Sequence, residues 1–186
     1  MTSIDAKLSS AAIAAGENAP ALWTAARRVT ELGGAPVLWV VMLLGAVLLW
    51  RRGARRHAII FLATTISGRI SVEILKAAIA RPRPDAVDHP VFVHSLSMPS
   101  GHAANSMLVY LSLALLLAPA SPRARAVAAA VTLSVLIGLT RPILGVHWPT
   151  DVLAGWLWGA GWTLVAVALS RRWLEGDRAR PPSPAT

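Results

Sequence analysis

Apolar residues in this chain come in long runs separated by short polar or proline-containing breaks. Five runs, residues 33–50, 57–80, 101–118, 125–140 and 151–170, are candidates to cross a hydrocarbon layer. A helix needs roughly 17 to 25 residues to span about 30 Å of hydrocarbon, and the fourth run is the shortest fit. The pattern predicts an all-α integral membrane bundle of five to six spans, folded as a single domain over residues 1–174 with the bundle proper at 33–174. Residues 175–186 are polar and proline-rich, which predicts a disordered cytoplasmic tail.

The first 32 residues are rich in alanine but interrupted by Glu17, Asn18 and Pro20. Asn18 is placed to cap a helix with Pro20 in its first turn. Leu22, Ala25, Ala26, Val29 and Leu32 then share a face beside Trp23, so an interfacial amphipathic helix is expected, with a weak sixth span as the alternative. The N-terminus lacks the basic-then-apolar order of a cleavable leader, so insertion is expected to rely on the internal runs.

Composition narrows the class further. Of 186 residues 55% are hydrophobic and only 15% charged, which points away from a soluble domain. There is no cysteine, which removes disulfides, thiolate metal sites and a cysteine nucleophile. The net charge of +9 does not indicate nucleic acid, because the arginines cluster at the ends of apolar runs rather than on an aromatic-interleaved face. Arg51, Arg52, Arg55 and Arg56, then Arg123 and Arg125, then Arg171, Arg172, Arg178 and Arg180 alternate so as to share one side. The positive-inside rule makes that side cytoplasmic and sends segments 81–100 and 141–150 to the other.

Ionisable residues that survive in apolar runs are costly unless paired or functional, and here they gather toward one end. Lys76 closes the second run, His102 opens the third, Arg141 ends the fourth, and His147 and Asp151 precede or open the fifth. Ser100 and Gly101 begin a helix whose free N–H groups and positive dipole end suit an anion. Arg83 follows Lys76 by two helical turns' worth of chain, past a proline that stiffens the exit. His147 and Asp151 are four residues apart, so the carboxylate can hold one ring nitrogen protonated and leave the other as a nucleophile. Cations and a helix end for a tetrahedral oxyanion, with two histidines for attack and leaving-group protonation, point to phosphoryl transfer. Arg69 and Glu73 are expected to neutralise each other, or Glu73 to tether Lys76. Asp85, Asp88, His89 and His94 form only a weak metal pattern and read better as solvated loop residues.

Lys76 with six residues before Arg83-Pro84, then Pro99-Ser100-Gly101-His102, then Thr140-Arg141 with five residues before His147 and three more before Asp151, resembles the three-part signature of the type 2 phosphatidic acid phosphatase superfamily. The family pattern usually carries serine where Thr140 stands, which keeps the hydroxyl. The resemblance implies a metal-independent mechanism with no cofactor. In it His147 attacks phosphorus, Asp151 orients its ring, and His102 protonates the departing oxygen. Lys76, Arg83, Ser100, the Gly101 N–H and Arg141 hold the phosphate, with Glu73 behind Lys76. It also implies a lipid phosphate substrate in the bilayer and a site on the extracytoplasmic face. Undecaprenyl pyrophosphate is expected first, because so compact a chain has little outer mass for an elaborate headgroup; phosphatidic acid and phosphatidylglycerol phosphate follow. A lipid phosphotransferase with the same site is the nearest alternative, and a non-catalytic transporter a more distant one.

Overall fold

The protein is described by a computed structural model covering residues 3–84, 96–171 and 173. The acidic and histidine-bearing loop stretch with Asp85, Asp88, His89 and His94, and the tail at 175–186, lie outside the described residues. The described residues form helices only: α1 (Ser3–Glu17), α2 (Pro20–Glu31), α3 (Ala35–Arg51), α4 (Arg55–Ile79), α5 (Gly101–Leu117), α6 (Arg123–Ile143) and α7 (Pro149–Leu169). The five apolar runs are α3 to α7. Three of them, α4, α6 and α7, are long and apolar enough to cross a membrane alone, and α2 with α3, bent by 44°, passes as one broken span. With its 17 residues, α5 is a shorter apolar helix. The expected five to six spans are therefore met only roughly, by three or four helices that qualify on length and composition.

Breaks fall where the backbone is constrained. Proline occupies the first turn of α2, α3 and α7, where its missing N–H leaves no intrahelical bond unmade. At the end of α4, Ala80 turns left-handed at φ 50°, its N–H still bonded to Lys76 O, before the two prolines of the exit. The fourth run gives a longer helix than expected. It continues through Arg141 and Pro142 to Ile143, so Arg141 is held on helix rather than on the loop after it.

The N-terminal region differs from expectation. It forms two helices, and the residue capping α2 is Ala19, without a side-chain hydrogen bond, rather than Asn18. The packed face of α2 is Ala26 and Thr30 with Trp23 beside it, whereas Leu22 and Leu32 are 38% and 40% exposed. The reason is α6: Ala26 packs with Leu144, Val146 and Ile143, and Thr30 is drawn inward by Arg141. A polar bond thus selects a face that the leucine pattern does not mark.

At the centre of the bundle lies α5, packed against α3, α4, α6 and α7, with small residues on the side that meets α7. A methyl group on Gly155 would stand 2.7 Å from Ser100 O, and one on Gly159 2.5 Å from Ala104 O, so these glycines are what lets the two backbones touch. That approach sets the helix starts side by side, with Ser100 N donating to Asp151 O at 2.9 Å. The tryptophans of α7 bridge helices. Trp156 donates to Ser134 O on α6, and Trp158 and Trp162 donate to Ser71 and Ser67 on α4.

Gly159→Ala is expected to lower the unfolding temperature in detergent by an amount equivalent to about 1–3 kcal/mol, because its methyl meets fixed backbone. Gly161→Ala, where nothing lies within 4 Å, is expected to leave it unchanged or raise it. Equal melting of the two variants would contradict this packing.

Candidate active site

The end of α4, the starts of α5 and α7, and the end of α6 deliver their polar residues to one end of the bundle. Arg56 on the first turn of α4 donates to Trp173 O just past α7, which marks the opposite end.

Asp151, on the first turn of α7, is fully buried. Its Oδ2 accepts from Trp148 N at 2.9 Å and from Ser97 Oγ, and lies 3.4 Å from His147 Nδ1. Its Oδ1 accepts from Arg81 Nη1 at 2.7 Å. A buried carboxylate is stable when its lone pairs are filled in this way.

His147 is 2% exposed, and its two nitrogens face opposite partners. Nδ1 lies 3.4 Å from both Asp151 Oδ2 and Ser97 Oγ, while Nε2 is 3.0 Å from Arg83 Nη1. A guanidinium can only donate, so Nε2 is the acceptor and the ring proton belongs on Nδ1, toward the carboxylate. The ring therefore presents a lone pair on the side where the cations gather. Burial pushes the His147 pKa down to about 4; the Asp151 hydrogen bond and charge oppose this, while Arg83 and Arg141 reinforce it. At neutral pH the ring is uncharged.

Two further cations, Lys76 and Arg141, join Arg83 at this end of the bundle. Lys76 is buried, with Nζ 3.4 Å from Glu73 Oε1. A methyl group on Gly101 would lie 3.2 Å from the same Nζ, so the lysine reaches the first turn of α5. Arg83 Nη1 donates to Val146 O at 2.5 Å as well as to His147. Arg141, 1% exposed, donates from Nη1 to Thr30 Oγ1 at 2.6 Å and leaves its Nε without a partner. His102, on the first turn of α5, interacts electrostatically with Arg141, His147, Lys76 and Arg83. It shares with Arg141 the wall of a cavity of about 450 Å³. Ser100 occupies the cap position of α5, but its Oγ makes no capping bond and is buried without a partner. Lys76, Arg83, Ser100, Gly101, His102, Arg141, His147 and Asp151 are thus brought to one end of the bundle, with Glu73 against Lys76. Among the described residues no group of three or more metal-binding side chains forms.

Four further contributors were not expected from the sequence. Arg81 reaches Asp151, lies with its guanidinium 5.5 Å from the Trp148 ring, and donates to Thr150 Oγ1 at 2.7 Å and Asp5 Oδ2 at 2.5 Å. Asp5, from α1, also accepts from Thr150 N at 3.2 Å and Thr150 Oγ1 at 2.6 Å. Burial raises the Asp5 pKa, but the bonds from Thr150 and Arg81 outweigh it and hold the carboxyl below its ordinary value. Ser97 and Thr30 complete the set. Only Arg81 carried a signal, as a basic residue beside the prolines on the sparsely charged side. Asp5, Ser97 and Thr30 are isolated polar residues far along the chain from their partners.

Residues 57–175 match the sequence model of the PAP2 superfamily. The chain is 32% identical over 139 residues to phosphatidylglycerophosphatase B of Bacillus subtilis, a match covering 70% of this chain and 66% of that protein. It is 34% identical over 124 residues to lipid A 1-phosphatase of Rhizobium johnstonii, covering 62% of this chain and 48% of that one. The match thus spans less than two thirds of either relative's length. Its fold superimposes with a TM-score of 0.81, at 29% identity, on the crystal structure of a transmembrane PAP2-type phosphatidylglycerolphosphate phosphatase from Bacillus subtilis, over 91% of this chain and 86% of the other.

With 15N-labelled histidine in detergent micelles, the imidazole resonance that vanishes in His147→Ala is expected to keep a neutral-ring pattern through pH 6 and to titrate near pH 4. Protonation is favoured as pH falls, so Asp151→Asn, which removes the stabilising charge, should move that midpoint down. A midpoint near the ordinary 6.5 would contradict the burial of this ring.

Proposed function

Because the chain belongs to the PAP2 superfamily, we propose that this membrane protein is a lipid phosphatase that hydrolyses a phosphomonoester or pyrophosphate of a membrane lipid. The observation that carries the reading is the pair of contacts to His147: Nδ1 toward Asp151, and the Nε2 lone pair turned to Arg83 at 3.0 Å. The curated relatives act on phosphorylated lipids by name, and the site here has the charge to hold such a headgroup.

In the proposed reaction a substrate phosphate displaces Arg83 from His147 Nε2 and takes its N–H bonds, together with those of Lys76, Arg141, Ser100 Oγ and the first amides of α5. The Nε2 lone pair attacks phosphorus in line with the lipid oxygen. The P–N bond forms as the P–O bond breaks, and His102 gives its proton to the departing oxygen. The ring keeps its Nδ1 proton, and the positive charge it acquires is stabilised by Asp151. Water then attacks phosphorus, loses its proton to His102, and releases inorganic phosphate and the original imidazole. Developing charge on the equatorial oxygens meets preorganised donors throughout, and in phosphoryl transfer such electrostatic stabilisation accounts for most of the rate enhancement. Three side-chain cations supply the positive charge that a divalent ion provides in other phosphatases, so turnover without added metal is part of the proposal.

The site is read as facing the extracytoplasmic side at headgroup depth, with the C-terminus cytoplasmic, from the arginine distribution. Undecaprenyl pyrophosphate, phosphatidic acid and phosphatidylglycerol phosphate each present a terminal phosphate on a bilayer anchor and form the substrate panel. A phosphotransferase would share every step but the last, with a lipid hydroxyl in place of water.

Purified protein in chelator is expected to release inorganic phosphate from at least one member of that panel, and His147→Ala to lower the rate by at least about 10³-fold. His102→Gln should be severely impaired on lipid substrates but much less so on p-nitrophenyl phosphate, whose phenolate leaves without a proton. Equal impairment on both leaving groups would remove His102 from the acid role. Failure to release phosphate from the entire panel, with no acceptor-dependent transfer, would remove the phosphatase reading itself.

A further inference from the structure

Beside the phosphate site a second cavity, of about 520 Å³, opens between α3, α4 and α5. Its polar lining is Arg69, Glu73 and Asn105, with Trp39 at one wall. Two of these side chains are unsatisfied: Arg69 Nη1 and Asn105 Oδ1 are both buried without a hydrogen-bond partner. The outer wall is apolar, formed by Ile66, Ile70 and Ile74 of α4, which are 41%, 55% and 64% exposed. This is the wall a lipid chain would touch.

The cavity adjoins the candidate site through Glu73 and Asn105. Glu73 bonds Lys76, and Asn105 Nδ2 lies 3.8 Å from where a methyl group on Gly101 would stand, on the same side as Lys76 Nζ. The guanidinium of Arg69 lies 5.0 Å from the centre of the Trp39 ring. Trp39 is on the second turn of α3, whose start lines a cavity with His102 and Arg141.

A guanidinium keeps its charge at any accessible pH, and an N–H left unmatched in a hydrocarbon setting is costly. Hydrocarbon offers no acceptor. A glycerolipid phosphate does, because its ester carbonyls hang just beneath the phosphate, whereas a polyprenyl chain carries only carbon and hydrogen there. The amide of Asn105 can serve the same purpose. Its oxygen and nitrogen are interchangeable by rotation, and turning it sets the oxygen toward the Lys76 ammonium and the NH₂ toward the cavity. Resting on the phosphatase reading above, we propose that this cavity holds the acyl-ester region of a glycerolipid phosphate, with Arg69 and Asn105 donating hydrogen bonds to its ester carbonyl oxygens. Acyl glycerolipids then rank ahead of the polyprenyl pyrophosphate that the compact outer surface alone favours.

The test compares dioctanoyl phosphatidic acid with its dialkyl ether analogue, which has the same phosphate and chain length but no carbonyls, in identical mixed micelles. Wild-type protein is expected to show kcat/KM at least about tenfold higher for the ester, the scale of a hydrogen bond from a charged donor. Arg69→Leu should bring the ester-to-ether ratio to about one, and Asn105→Ala should reduce it. Equal wild-type rates on ester and ether overturn the proposal, and this comparison stands even if a variant does not fold. A ratio unaltered in Arg69→Leu also overturns it, as does an Arg69 effect confined to pyrophosphate substrates, which would make the arginine a ligand for a second phosphate. Turnover of undecaprenyl pyrophosphate with ester and ether both inert overturns this inference alone. Inactivity on all three, under conditions where the protein is folded, points instead to failure of the phosphatase reading.

Discussion

A carboxylate with no solvent exposure must have its lone pairs answered by the protein, and the desolvation of Asp151 organises this end of the bundle. The groups that answer it come from different parts of the chain: the turn before α5 through Ser97, the exit from α4 through Arg81, and the backbone before α7 through Trp148. Its own carbonyl takes the N–H of Ser100. Filling one buried acid therefore aligns two helix starts and fixes the ring of His147. The glycines of α7 permit that meeting; the acid gives it direction.

The opposing constraint is like charge. Lys76, Arg83 and Arg141 act on one another unfavourably across the site. Local acceptors relieve part of this: Glu73 for Lys76, Val146 O for Arg83 and Thr30 for Arg141. What remains is an excess of positive charge, with Ser100 Oγ and Arg141 Nε buried without partners. Burial first, and the field of Arg83 and Arg141 after it, favour the neutral form of the His147 ring against the pull of Asp151.

The N-terminal helices are tied into this arrangement by polar side chains. Thr30 of α2 satisfies Arg141, and Asp5 of α1 satisfies Arg81 and Thr150. Both lie before the segment that matches the superfamily, which begins at residue 57. Nothing local announces these ties, because α1 and α2 are selected by polar partners on α6, α7 and the exit from α4, whereas the hydrophobic face of an isolated helix reports only apolar burial.

The chain alone determined the helical class, the positions of five apolar runs and a set of candidate residues for the site. These depend on local rules: hydrocarbon excludes unpaired backbone, proline and glycine end helices, and a four-residue spacing brings His147 and Asp151 within reach of each other. Tertiary structure decided what no local rule carries. It set which ring nitrogen is free, since that depends on Arg83 and Asp151 standing on opposite sides of the imidazole. It recruited Asp5, Thr30, Arg81 and Ser97, whose partners are distant in sequence. And it left Arg69 Nη1 buried without a partner at a cavity between α3, α4 and α5, beside the Trp39 ring, because only the meeting of three helices builds that enclosure.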